Sequence, residues 1–138
     1  MYQDNVNALL SAWNSGDLEG LNAHVSNHVV RKSPTSLNSD AYNLPELKEV
    51  ISKFRTAFPD CHVRLDEIHF TENRSFARWT FTGTNTGDGD FPPTGKAIDI
   101  SGSSFSRFED GKMTEELVYM DALEFMTQLG LIELPAVV

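Results

Sequence analysis

The sequence predicts an α+β domain in which one curved antiparallel sheet packs on helices. Three observations carry this: helical apolar spacing dominates up to Pro59, alternation of period two takes over afterwards, and the later strands follow one another at hairpin spacing. The 138 residues fit one domain, read here as 1–138, and an apolar fraction of 40% is enough to bury a core. Neither an internal repeat nor a second domain is visible.

Val6, Leu9, Leu10 and Trp13 recur at helical spacing, and Asn14-Ser15-Gly16 interrupts them before a second short helix carrying Leu18, Leu21 and Val25. Residues 28–33 read as a short strand stopped by Pro34, and the polar stretch 35–42 is the loosest of the chain. Asn43 with Glu46 three residues on has the form of a capping box. Pro45 is tolerated in the first turn of the helix it opens, and Leu47, Val50, Ile51, Phe54 and Phe58 form its apolar stripe. Pro59 ends that helix. Val63 and Leu65 then share one face while Ile68 and Phe70 take the opposite parity, which predicts a bulge near Asp66-Glu67. Strands over 74–84, 96–108 and 113–121 follow, the last two joined by the hairpin signature Glu109-Asp110-Gly111. A short helix over 122–129, closed by Gly130, completes the set.

A net charge of −9 repels phosphate backbones, which argues against nucleic acid as a partner. No signal peptide and no bilayer-spanning apolar run is visible, so a soluble cytoplasmic protein without membrane contact is expected. The single cysteine, Cys61, cannot form an internal disulfide or a structural zinc cluster, and it reads as a small buried hydrophobe.

The glycine-rich stretch 81–98 invites a phosphate-loop reading, which its spacing rejects. Gly95-Lys96 is present, but Asp90 stands five before Gly95 and Ala97 replaces the required hydroxyl. Gly83, Gly87 and Gly89 are spaced wrongly for a dinucleotide fingerprint and lead into strand. Asp88-Gly89-Asp90 lacks the oxygen spacing of a calcium loop. His24 and His28 have two-ligand spacing without a third ligand, so no metal is expected. What remains is a strand connection with a stiff apolar tip, Phe91-Pro92-Pro93, able to cover a cavity mouth.

Asp121 is the candidate catalytic carboxylate, since it ends a strand of apolar neighbours and a desolvated carboxylate suits general acid/base work. Followed by Glu124 it is equally a helix N-cap, and the two roles are compatible. Alternation puts Asp121 on one face with Tyr119, Leu117, Glu115 and Met113. If that face is concave, Tyr119 hydrogen-bonds a bound carbonyl and Glu115 sits deeper. Trp79, Phe54 and Phe58 read as core packing that also walls a pocket, and Trp13 joins them as a binding residue.

Several short matches, in order over nearly the whole chain, together resemble the SnoaL-like polyketide cyclases of the broad ketosteroid-isomerase-like and nuclear-transport-factor-like superfamily. They are Trp13-Asn14-Ser15-Gly16-Asp17, Phe58-Pro59-Asp60, Phe81 through Gly87, Pro93 through Lys96, Arg107 through Met113, Asp121, and Gln128-Leu129-Gly130. The resemblance implies a cone-shaped sheet wrapped around the N-terminal helices and an internal apolar cavity, and commonly a homodimer paired through the sheet's outer face. It also implies aldol ring closure or proton transfer next to a carbonyl of a small hydrophobic, polyketide- or steroid-like molecule, without metal or cofactor. The carboxylate matching Asp121 is the acid/base. Lys32, Asn85 and Ser104 stand where relatives often carry His, and Leu117 where they often carry Trp; the first three donate hydrogen bonds but do not titrate as His does. Two readings follow: an enzyme in which Tyr119, Asn85 and Lys32 orient a carbonyl compound for Asp121, or a non-catalytic binding or dimeric interaction module in which Asp121 is chiefly a cap.

Overall fold

The computed structural model describes residues 2–34 and 39–136. Along the chain run α1 (Gln3–Ser15), a short 3-10 helix (Glu19–Ala23), β1 (Val25–Lys32), α2 (Leu44–Ala57), β2 (His62–Phe70), β3 (Arg74–Thr84), β4 (Ala97–Glu109), β5 (Lys112–Met120) and α3 (Ala122–Gln128). These elements form the predicted α+β architecture, with a single five-stranded curved sheet in the order β1-β5-β4-β3-β2. Among the described residues no helix is long and apolar enough to cross a membrane.

Strands β2 to β5 pair antiparallel, as expected. β1 joins the edge parallel to β5, so the sheet is mixed. Parallel neighbours require a long crossover, and everything from α2 to β4 supplies it. The second helical turn is also shorter than its spacing predicts: it stops at Ala23, and Val25 already pairs with Met113 as the first residue of β1. A β-branched residue beside an open sheet edge gains more from the ladder than from another helical turn.

Local chemistry explains most boundaries. The Asn43 side chain accepts from the Glu46 backbone N–H at 2.8 Å, Glu46 Oε1 accepts from the Tyr42 N–H at 3.0 Å, and Leu47, Val50 and Ile51 are buried behind them. The bulge near Asp66-Glu67 is present as a register shift between Leu65 and Glu67, which keeps Leu65 and Ile68 on the same side. Asp110 and Gly111 take φ of 52° and 78°, the doubly left-handed turn that a two-residue hairpin requires, and only Gly and Asn/Asp adopt it readily.

Two asparagines fix α1 across the sheet. Asn5 donates to the carbonyls of His24 (2.9 Å) and Gly111 (2.8 Å), while Asn14 exchanges hydrogen bonds with the Val63 backbone at 3.0 and 2.7 Å. With both ends tied to backbone, the apolar stripe of α1 lies along the inner face of the sheet. Two apolar clusters fill the interior, one around Leu21, Leu47 and Ile51 and one around Phe58, Phe81 and Phe125, with Trp13 and Phe54 packed against both. Part of the stretch predicted to be loosest, 35–38, lies outside the described residues. Beyond it Ala41 exchanges two backbone hydrogen bonds with Arg31, at 2.8 and 2.9 Å.

Candidate functional site

A cavity of about 110 Å³ lies between α1 and the inner face of the sheet. Its wall is graded along the strands. At one end the register aligns Arg31 with Glu116, Glu116 with Ser106 and Ser106 with Ser75, a polar row running straight across four strands. The next row holds Val118, Ser104 and Ala77, and the one after it Met120, Gly102 and Trp79. From polar row to indole, the inner face passes from hydrogen-bonding to apolar chemistry.

The polar row is well buried: exposure is 6% for Arg31, 5% for Glu116, 7% for Ser106 and 3% for Ser75. Arg31 Nε donates to Glu116 Oε1 at 3.2 Å and its Nη1 to the Ser39 carbonyl at 2.6 Å. Among the described residues Glu116 Oε2 and the hydroxyls of Ser75 and Ser106 have no hydrogen-bond partner, and all three side chains line the cavity. Among the described residues Arg107 Nε alone is a fully buried side-chain polar atom without a partner, so these three oxygens open onto the cavity and offer hydrogen-bonding positions to a polar group there. Burial pushes the Glu116 carboxyl above its ordinary value of 4.5, and the charge and hydrogen bond of Arg31 offset only part of that push. Such a carboxyl holds a proton at a higher pH than surface carboxylates and releases it into a low-dielectric space.

Glu116 faces inward because of a bulge. The β4–β5 register shifts between Arg107 and Phe108, so that Phe108 pairs with Met113 but Arg107 with Glu115. Alternation counted from Met113 therefore slips by one, and Glu116, Val118 and Met120 point into the cavity in place of Glu115, Leu117 and Tyr119.

This shift corrects the facing predicted for the β5 residues. Tyr119 is 46% exposed on the outer face, where its ring meets Phe105 at 5.7 Å, and Leu117 shares that face. Lys32 is exposed as well, its Nζ 5.6 Å above the Tyr42 ring. Asp121 lies outside the cavity; it is exposed, and Oδ1 accepts from the Glu124 N–H at 3.0 Å as the N-cap of α3. Asn85 is 1% exposed and serves the loop: it donates to the Ala57 carbonyl at 3.1 Å and accepts from the Thr94 N–H at 2.9 Å and its hydroxyl at 3.1 Å. Phe58 packs edge-on against Phe81 and Phe125 in the core, with ring centroids 5.7 and 6.0 Å away, and does not line the cavity.

Trp13, Phe54, Trp79 and Ser104 do line it, and Trp79 Nε1 donates to Ser104 Oγ at 2.8 Å. Sequence reasoning missed Arg31, Ser75, Ser106 and Glu116. The one signal was a charged residue inside each of two apolar strands, Val29-Val30-Arg31 and Glu116-Leu117-Val118. Among the described residues no three His, Cys, Asp or Glu side chains converge to hold a metal ion. The apolar tip of the 85–96 loop divides, with Phe91 packed against the cluster around Phe58 while Pro92 and Pro93 are exposed.

Comparison with known proteins bears on this geometry. None of the curated proteins compared matches the chain. Solved structures share its fold: TsrD from Streptomyces laurentii superposes with a TM-score of 0.82 at 22% identity, over 94% of this chain and 95% of that one. Wild-type IdmH from Streptomyces antibioticus gives 0.80 at 25% identity, over 94% and 99%. A Catenulispora acidiphila protein with a ketosteroid isomerase-like fold gives 0.78 at 12% identity, over 96% and 98%. The family model of the SnoaL-like polyketide cyclases matches residues 3–129, nearly the full length over which the cavity-forming elements run, and the chain belongs to that family.

Proposed function

We propose that the protein carries out cofactor-independent acid/base chemistry next to a carbonyl of a small hydrophobic molecule held in the cavity. The single observation behind this reading is a buried carboxylate, Glu116, at the polar end of an otherwise apolar cavity. In the proposed step a C–H bond beside the carbonyl breaks, its proton passes to Glu116, and the electron pair moves to the carbonyl oxygen. The Arg31 guanidinium and the Ser106 and Ser75 hydroxyls donate to the developing enolate oxygen. Return of the proton to another carbon completes an isomerisation; alternatively the enolate carbon bonds to a second carbonyl carbon, the C=O π pair moves to that oxygen, and Glu116 returns its proton to the alkoxide to close the ring. The role expected of Asp121 passes to Glu116 because an exposed, cap-engaged carboxylate is neither desolvated nor adjacent to a bound substrate.

The test does not require the native substrate. In D₂O the wild-type protein is expected to accelerate exchange of the methyl protons of acetophenone above the buffer rate, read by NMR. Asp121→Asn should keep that acceleration and Glu116→Gln should lose it. Wild-type exchange at the buffer rate would leave a non-catalytic binding module as the reading, and undiminished exchange by Glu116→Gln would remove Glu116 from the acid/base role.

Partner choice has its own support. Phe76, Phe105 and Tyr119 form an exposed aromatic ladder on the outer face, with successive centroids 5.6 and 5.7 Å apart. We propose that a second copy of the chain covers it, since contiguous exposed aromatic area is characteristic of interfaces. Phe105→Asp should convert a dimer to a monomer in sedimentation equilibrium; a monomeric wild type at tens of micromolar would overturn this pairing.

A further inference from the structure

Trp79 occupies the inner face in an unusual manner. It pairs in register with Gly102, and a Cβ on Gly102 would come within 2.3 Å of both Cη2 and Cζ2 of the indole. The ring therefore occupies the space that a side chain at position 102 would need. Its Nε1 reaches Ser104, one inward-facing position nearer the polar row, at 2.8 Å. The indole is thus held along β4, with its N–H at Ser104 and its six-membered ring over Gly102. Ser104 and Ser106 are two residues apart, about 7 Å along the strand, so the indole stands one inward-facing position from the polar row.

At about 110 Å³ the cavity is below the ~150 Å³ of an engineered apolar cavity that accepts benzene, which leaves no room in it for two fused rings.

The geometry points to Trp79 as the residue that sets ligand size. The site takes a compact, one-ring-sized carbonyl compound with its oxygen at the Arg31–Glu116–Ser106–Ser75 row, and the pinned indole excludes a second fused ring. This inference rests on the site and chemistry described under Proposed function, and it restricts them to small substrates. Its two supports are independent of the acid/base step: the glycine that the indole requires, and the hydroxyl that holds it.

Acetophenone and 2-acetonaphthone differ by one fused ring and carry the same exchangeable methyl ketone. Their binding to wild-type protein, Trp79→Ala and Trp79→Phe is measured by calorimetry, and their deuterium exchange by NMR, after circular dichroism confirms folding. Wild type is expected to favour the one-ring ketone. Trp79→Ala should shift the affinity ratio toward the two-ring ketone by about tenfold or more, since the added ring then buries apolar surface. Trp79→Phe should move the ratio the same way by less, and it serves alone if Trp79→Ala does not fold. A ratio unchanged in the folded variants overturns the inference, as does failure of both ketones to bind any of the proteins. A shifted ratio with exchange at the buffer rate throughout would support the size filter while removing the acid/base reading.

Discussion

Glu116→Gln is expected to cut carbonyl-adjacent proton exchange by about 10²–10⁴, the usual contribution of a positioned acid/base group, without unfolding the protein. Gln preserves the volume of the side chain and an oxygen that can accept from Arg31 Nε, so the polar row keeps its packing and loses only the titrating site. Loss of exchange together with loss of the cooperative unfolding transition would not support the assignment; loss of exchange with the transition intact would. Arg31→Met provides the complementary measurement. It removes the charge that holds the Glu116 carboxyl down, so the basic form of Glu116, and with it the exchange rate, should appear at higher pH than in wild type.

Stability should follow the same group with a definite sign. Burial raises the folded-state pKa of Glu116 above 4.5, so between 4.5 and that raised value the native chain binds a proton that the unfolded chain has released. Stability then falls as pH rises through this window, by up to about 1.4 kcal/mol per pH unit. Below 4.5 both states are protonated and the effect vanishes. Asp60, Asp66 and Glu67 act oppositely, because their carboxyls are held down by hydrogen bonds from Thr84, Thr80 and His69 respectively, and stability drawn from them is lost as pH falls. The difference between wild type and Glu116→Gln cancels those three groups. Urea unfolding across the acid-to-neutral range should show the Gln variant gaining on wild type as pH rises above 4.5, and a difference that does not vary with pH would refute a raised Glu116.

Legibility in the sequence depended on whether a feature was local. The capping box at Asn43 and Glu46, the bulge at Asp66-Glu67 and the Asp110-Gly111 turn are written in neighbouring residues, and each forms where its chemistry predicts. The facing of β5 is not local. It depends on a bulge beside the hairpin, between Arg107 and Phe108, where neither Pro nor an unusual run of apolar residues marks the slip. A single-residue phase error exchanges the whole inner face for the outer one, which is why simple alternation places Tyr119 and Leu117 inside and Glu116 outside. The parallel pairing of β1 is equally hidden, since it is set by a partner 85 or more residues away. Asp121 shows the opposite case: both its roles were readable, and the helix cap is the one its surroundings support.

Gly87→Ala is expected to destabilise the protein by about 2–3 kcal/mol, the range for overpacking against atoms that cannot move aside. A Cβ at this position would lie 1.8 Å from the Thr56 carbonyl oxygen and 2.9 Å from its carbon, both backbone atoms in the last turn of α2. The φ of Gly87 lies outside the left-handed region, so the requirement is for space and not for a rare conformation. The loop has little freedom to retreat: the Gly87 N–H donates to the Ala57 carbonyl at 3.2 Å, Asn85 donates to the same carbonyl, and Lys53 holds Asp90 at 2.7 Å. Gly89→Ala is the matched control, because its nearest contact would be the Ala57 Cβ at 3.3 Å and exposed backbone can yield a few tenths of an ångström there; its cost should stay below about 1 kcal/mol. The midpoint of urea unfolding, at unchanged m-value, reads both. Equal midpoints for the two variants would mean that the loop is not clamped to α2, and that the glycines of this stretch serve only its turns.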